Sequence, residues 1–222
     1  MIGFILRVCS RIKESWDIQR PVVANKIIIN EKELNYFTPE NKEYLLRCNE
    51  DFELEDVKVE SDFEVEVKYP SENENDLLIN VTDGFFSTVY KVRILRSKEV
   101  VSVTASSVPQ AANVPENTLD SNLDTRWASE NEQWIMYDLG EVKQINGIEL
   151  SWYLGYTRQQ LFDVLVSVDG NEWTTVFSGK NSGTTADLEE VPMEKTNARY
   201  VKIMCFGNTS SSWNSLTECV IK

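Results

Sequence analysis

Residues 117–129 read NTLDSNLDTRWAS. Asn117, Asp120, Asn122, Asp124 and Thr125 crowd polar oxygens into the first nine positions, and the run then closes on Trp127. Asx-rich segments cap their own turns and need no further partner. A solvated turn has no reason to end on an indole, however, so Trp127 reads as an anchor that fixes the loop to a core. What the loop holds in place decides most of the fold and the function.

Outward from that stretch the sequence alternates. WIMYDLG (134–140), INGIELSWY (145–153), FDVLVSVDG (162–170), WTTVFSG (173–179) and RYVKIMCF (199–206) carry apolar residues at every second position, with few helical stretches between. Period two is the signature of strands that bury one face. The region from Lys98 onward is therefore expected to be an all-β sandwich or jelly-roll barrel. Trp127, Trp134, Trp152, Trp173 and Trp213 lie in it, five of the chain's six tryptophans. By their position in strand-like motifs, Trp134, Trp152 and Trp173 read as core.

The first half alternates as well, in KIIIN (26–30), EYLLRC (43–48), DVKVES (56–61), DFEVEVKY (62–69), DLLINVTDG (76–84) and STVYKVRIL (87–95). Six or seven short strands spaced by Pro, Asn and Asp-Gly turns predict a separate small sandwich over residues 25–97. In DFEVEVKY the acids fall on one face, so that acidic run reads as a solvated strand surface. Residues 1–24 have no clean period; a short helix before Pro21, or the remnant of a preceding segment, are the readings. The charged junction RSKEVV (96–101) gives the two units limited freedom.

Charge and composition exclude several functions. The formal charge is -14, and both halves are acidic, which disfavours a nucleic-acid or anionic-membrane surface. Histidine is absent, so neither a Ser-His-Asp nor a Cys-His arrangement can be built, and no Gly-rich phosphate loop is present. No catalytic residues are assigned. Cys9, Cys48, Cys205 and Cys219 lack CxxC spacing; Cys205 and Cys219 are either buried thiols or, on neighbouring strands, a pair. MIGFIL is apolar for six residues before Arg7, too short for the core of a signal peptide.

The ordered motifs SVTASS, NTLDSNLDTRWAS, QWIMYDLG, INGIELSWY, FDVLVSVDGNEWTTVFSG, ARYVKI and WNSLTECVI resemble the discoidin family, also called the coagulation factor 5/8 type C domain. Its sugar-binding bacterial branch is the family 32 carbohydrate-binding module, with a galactose-binding-like fold. The resemblance covers residues 98–222. Residues 25–97 resemble the bacterial cadherin-like, immunoglobulin-like sandwich repeats through YFTPENKEY and INVTDGFFSTVYKVRI, which implies a spacer.

In the discoidin family the equivalent loop wraps a structural calcium ion. Carried over by position, Asp120 would supply a side-chain oxygen, Thr125 its hydroxyl and carbonyl, Asn117 and Asn122 main-chain carbonyls, and Glu218 a second carboxylate. Ca²⁺ accepts such a mixed oxygen set. Ser121 departs from the family, which most often has Gly there. The alternative is a hydrogen-bonded Asx loop without metal.

A sugar offers C–H faces to an aromatic ring and hydroxyl edges to directed polar groups. WYLGYTRQQ (152–160) and FGNTSSSWNS (206–215) combine these residue types between strands. Tyr156 would stack under a ring, and Arg158 would fork to vicinal hydroxyls or a uronate carboxylate, or else pair with Asp163. Asn208 and Asn214 would donate and accept from their amides. Trp213 is either a second platform or a packing residue. The resemblance then implies non-catalytic binding of polysaccharide or oligosaccharide, extracellular or at the cell surface, as an accessory region of a larger enzyme with an upstream catalytic domain. The second reading is a cell-surface adhesion or protein-recognition module.

Overall fold

The structure, a computed structural model, describes residues 20–71 and 74–222. The helix expected before Pro21 lies outside the described residues. The described strands fall into two groups, each with its own apolar core.

The N-terminal group holds β1 (Lys26–Ile29), β2 (Lys32–Glu33), β3 (Glu43–Cys48), β4 (Val57–Glu60), β5 (Glu64–Lys68), β6 (Asp76–Thr82) and β7 (Ser87–Arg96). They form sheets of order β2-β1-β4 and β3-β7-β6-β5. The alternation of β6 places Leu77, Ile79 and Val81 inward, where they meet Ile27, Tyr90 and Val92 at zero exposure. The acidic run behaves as a surface: β5 turns Glu64 and Glu66 out and Val65 and Val67 toward the core. β3 runs parallel to β7, Glu43 opposite Lys91 through Cys48 opposite Arg96, so the long connection across β4–β6 is needed to bring them together. The unit begins earlier than residue 25, because Val22 and Ala24 are already buried and the Ala24 N–H donates to Tyr90 Oη at 3.1 Å.

The C-terminal group holds β8 (Ser102–Ala105), β9 (Trp127–Glu130), β10 (Gln133–Ile145), β11 (Ile148–Trp152), β12 (Gln160–Ser167), β13 (Thr174–Lys180), β14 (Glu189–Glu190), β15 (Thr196–Asn208) and β16 (Trp213–Ile221). A five-stranded sheet of order β13-β12-β15-β10-β8 faces a four-stranded sheet of order β14-β11-β16-β9. Ile135, Tyr137, Val164, Val201 and Ile203 from the first meet Trp127, Leu150, Leu216 and Ile221 from the second. This is a jelly-roll-like sandwich, stabilised by burial of apolar surface between the sheets.

Two tryptophans depart from the expectation. Trp152 is core, 5.0 Å from Phe162 between ring centroids. Trp134 and Trp173 instead lie half-buried on the outer side of the five-stranded sheet, with Lys202 Nζ 5.5 Å and 3.5 Å from their ring centroids. The pleat explains it: Ile135 and Tyr137 take the inward positions of β10, so Trp134 must point away. Cys205 and Cys219 are free buried thiols on opposite sheets, which answers the pairing question.

The junction is pinned at successive residues. Ser97 N donates to Cys48 O (3.0 Å), Lys98 N to Ile221 O (2.6 Å) and Val101 N to Asp138 O (2.8 Å). β16 thereby lies between its own core and the N-terminal unit, and Asn214 through Ile221 are all buried.

Candidate functional site

The loop that opens the second unit starts with a 3-10 turn, Pro115–Leu119. Asp120 follows, its Oδ1 accepting from Asn122 N at 2.9 Å, and Asn122 Oδ1 accepts from Asp124 N at 3.0 Å. Between them Ser121 adopts φ 67. The left-handed conformation for which glycine is suited is thus taken by serine, and Ser121 N is aimed at Glu218 Oε1, 3.0 Å away. Trp127 is fully buried and its Nε1 donates to Ser107 O at 3.0 Å, which makes it the anchor its position suggested.

The five oxygen-bearing residues named from the sequence converge. Thr125 Oγ1 lies 2.7 Å from Asp120 Oδ2, 2.9 Å from Asn122 O and 3.5 Å from Asn117 O. One hydroxyl proton serves one of three acceptors, and such a surplus of acceptor oxygens is what a hard cation balances. Glu218 closes the region from β16 with its side chain at zero exposure. Burial pushes its carboxyl up to about 7, against the lowering influence of Arg47 and the Ser121 N–H. Burial likewise raises Asp120. No cluster of three or more His, Cys, Asp or Glu occurs among the described residues, so a cation here would rely on carbonyls and a hydroxyl beside two carboxylates. That donor set suits Ca²⁺ and does not suit a thiophilic metal.

Thr125 leads directly into Arg126, whose guanidinium carbon is 4.1 Å from the Tyr153 ring centroid. Arg158 approaches the same ring at 5.5 Å, and its Nε donates to Tyr153 O at 3.3 Å. Burial lowers the Arg158 pKa, and Arg126 lowers it further. Neither guanidinium pairs with a carboxylate among the described residues, so Arg158 does not take Asp163 as its partner. Arg126 Nε is buried without a hydrogen-bond partner among the described residues. Tyr153 is 37% exposed and Tyr156 56%. The turn that presents them needs Gly155, since a Cβ there would meet Thr185 O at 2.4 Å.

Neighbouring loops gather at this end. Thr209 N donates to Gln159 O, Gln159 Nε2 to Ser182 O, and Tyr153 N to Ser215 O. Asn208 and Asn214 are a correction to the sequence reading, because their amides are engaged within the protein. Asn208 Nδ2 donates to Trp213 O at 2.6 Å, and its Oδ1 accepts from Ser210 N and Ser211 N. Asn214 is fully buried; its Oδ1 accepts from Gly207 N and Gln160 Nε2, both at 2.7 Å, and its Nδ2 donates to Asn131 O. Both position the hairpin rather than face a ligand. Trp213 is half-buried at the start of β16, opposite Glu130. Arg126 and Tyr153 were missed in the sequence. The signal for Arg126 was its place between a loop oxygen, Thr125, and the anchor Trp127.

A sandwich with an oxygen-rich loop and an aromatic–arginine end face defines a class of binding module. The chain belongs to the F5/8 type C domain family, whose model matches residues 102–219. Among solved structures, it is 42% identical to the CBM32 of AlyQ in complex with 4,5-unsaturated mannuronic acid, covering 57% of this chain and 97% of that one at TM-score 0.54. A pectin-binding carbohydrate-binding module is 27% identical, covering 57% and 92% at TM-score 0.55. Of the curated proteins, the polysaccharide lyase 8 family protein HylA of Enterococcus faecalis is 32% identical over 92 residues. That match covers 40% of this chain and 6% of HylA, so the chain spans a small part of that relative. No helix among the described residues is long and apolar enough to cross a membrane.

Proposed function

We propose that the C-terminal unit binds polysaccharide non-catalytically and that its ligand carries uronate carboxylates. The observation that carries this reading is the pair Arg126 and Arg158, 4.1 and 5.5 Å from the Tyr153 ring centroid and without carboxylate partners among the described residues, in a chain of net charge -14. Guanidinium groups fork to carboxylates, and an exposed tyrosine such as Tyr156 offers a ring face to a pyranose. The likeness to a module solved with an unsaturated mannuronic acid, and to a pectin-binding one, supports an acidic glycan.

Calcium belongs to the same reading. Asn117, Asp120, Asn122, Thr125 and Glu218 would hold it, and it would supply positive charge that binds the loop to β16. Arg126 and Trp127, next in sequence to Thr125, would be held rigid as a result. The N-terminal unit is read as a cadherin-like or immunoglobulin-like spacer. The whole is read as an accessory region of a larger extracellular polysaccharide-degrading enzyme, where a tethered weak binder raises local substrate concentration.

Affinity electrophoresis tests the proposal. Migration should slow in gels containing alginate or polygalacturonate, stay unchanged in neutral galactomannan, and return to the unretarded rate for Arg158→Gln. Equal migration through all of these gels, with the fold intact, would remove the glycan reading and leave recognition of a protein surface as the alternative.

A further inference from the structure

The cation loop has a neighbour that belongs to the other unit. Arg47 lies on β3, where Tyr44 and Leu46 turn into the N-terminal core and Leu45 and Arg47 turn away from it. Its Nη2 donates to Glu218 Oε2 at 3.1 Å and to Cys219 O at 2.7 Å, while Nη1 donates to Ser97 Oγ at 3.3 Å. The side chains of Arg47 and Glu218 are 17% and 0% exposed. Arg47 Nε is buried without a hydrogen-bond partner among the described residues, and both Nη groups are bonded within the protein. The other oxygen of Glu218 accepts from Ser121 N, inside the loop. One carboxylate therefore joins three parts of the molecule: the loop, the last strand and the preceding unit.

We infer that Arg47 is a positioning residue of the cation site, supplied across the unit boundary, which serves as the counter-charge of Glu218 and sets how tightly the loop takes calcium. The inference rests on the calcium reading above. A carboxyl group removed from water is costly unless it is paired, and in the metal-free protein the Arg47 guanidinium is the positive group that faces Glu218 and holds its side chain in place. A dication arriving at the same carboxylate meets that guanidinium as a like charge in a poorly screened environment. Arg47 thus stabilises the metal-free form and opposes loading, and by linkage its removal shifts both in a known direction. Another ion pair between the units, Arg93 Nη1 to Asp187 Oδ1 at 2.7 Å, involves no proposed calcium ligand and serves as a control.

The test uses the full chain stripped with chelator and titrated with calcium chloride by calorimetry, alongside thermal melts in excess chelator. Arg47→Met should bind calcium on the order of tenfold more tightly than the parent and melt at a lower temperature without metal, so that calcium raises its melting temperature more. Arg47→Lys, which keeps the charge, should stay within about threefold of the parent in affinity, and Arg93→Met should leave affinity unchanged. If Arg47→Met does not fold without metal but folds when calcium is added, the same conclusion holds. Unchanged calcium affinity in Arg47→Met, or an equal gain in Arg93→Met, overturns the inference. Should no form bind calcium, the calcium reading fails by itself; Arg47 as the counter-charge then stands if Arg47→Met melts below both the parent and Arg93→Met in chelator, and falls otherwise.

Discussion

The guanidinium of Arg126 lies over the face of Tyr153, 4.1 Å from its centroid, with Arg158 at 5.5 Å from the same ring. The contact ties the segment after the Asx-rich loop to the turn after β11, and Tyr156 in that turn is exposed. Binding at this face separates from stability. Tyr156→Ala should weaken retention by an acidic polysaccharide roughly tenfold, about 1.4 kcal/mol, measured by affinity electrophoresis. The same substitution should change unfolding free energy by no more than about 0.5 kcal/mol, because the side chain packs little.

Asn214 predicts the reverse. Asn214→Ala takes the acceptor from the buried Gly207 N–H and one of two acceptors from the buried Gln160 side-chain amide, and frees Asn131 O. The expected loss is about 3 kcal/mol of stability in urea unfolding, since each orphaned buried group costs roughly 1–3 kcal/mol. Wild-type stability in this variant would refute the structural role.

Calcium at one hundred times its dissociation constant should raise stability by about 2.7 kcal/mol over the chelated protein. Asp120→Asn should abolish most of that difference. Thermal melts of both proteins with and without chelator provide the check, and equal shifts in the two would place the ion elsewhere.

Ser121 holds φ 67 at the turn that aims its N–H at Glu218. Left-handed backbone costs a non-glycine residue roughly 1–2 kcal/mol, and glycine loses part of that gain through the freedom of its unfolded chain. Ser121→Gly should therefore stabilise the protein by about 0.5 kcal/mol, visible as a rise in denaturation midpoint at unchanged slope.

Asp138 accepts from Arg199 Nε at 2.8 Å and Nη2 at 2.9 Å, and from the Gly140 N–H at 2.7 Å. The Arg199 hydrogen bonds hold its carboxyl below the usual carboxylate range, helped by the Gly140 N–H. A depressed folded value means the contribution is present above the unfolded pKa of about 3.9 and is lost as pH falls through the folded value. Asp138→Asn should melt below the parent at pH 7, and the gap should shrink as pH falls below the unfolded value of about 3.9 and close once pH is below the depressed folded value. A gap that persists unchanged at low pH would assign the effect to shape rather than charge.

The strands were largely legible because alternation reports burial of one face directly. LLINV became the inward Leu77, Ile79 and Val81, and the pairs Ile135–Tyr137 and Val164–Val166 became core. Trp134 and Trp173 were misread because a place in a strand-like motif does not say which face a residue takes, and parity on β10 places Trp134 outside. Asn208 and Asn214 were misread for a different reason: a loop amide looks the same in sequence whether it caps its own hairpin or faces a ligand. Arg126 was passed over because its partner, Tyr153, is distant in sequence and reaches it only through the β9–β16–β11 order.

The amino-acid order by itself determined an all-β chain, two alternating segments with a charged junction, the family motifs and a set of oxygen-bearing loop residues, since each of these is a local or periodic property. The tertiary structure alone decided which polar groups are used up internally, which guanidinium groups stay without a carboxylate among the described residues, and that Arg47 meets Glu218 from another unit. Hydrogen-bond capacity and charge balance are settled between residues far apart in sequence, and a linear pattern carries no distance between them.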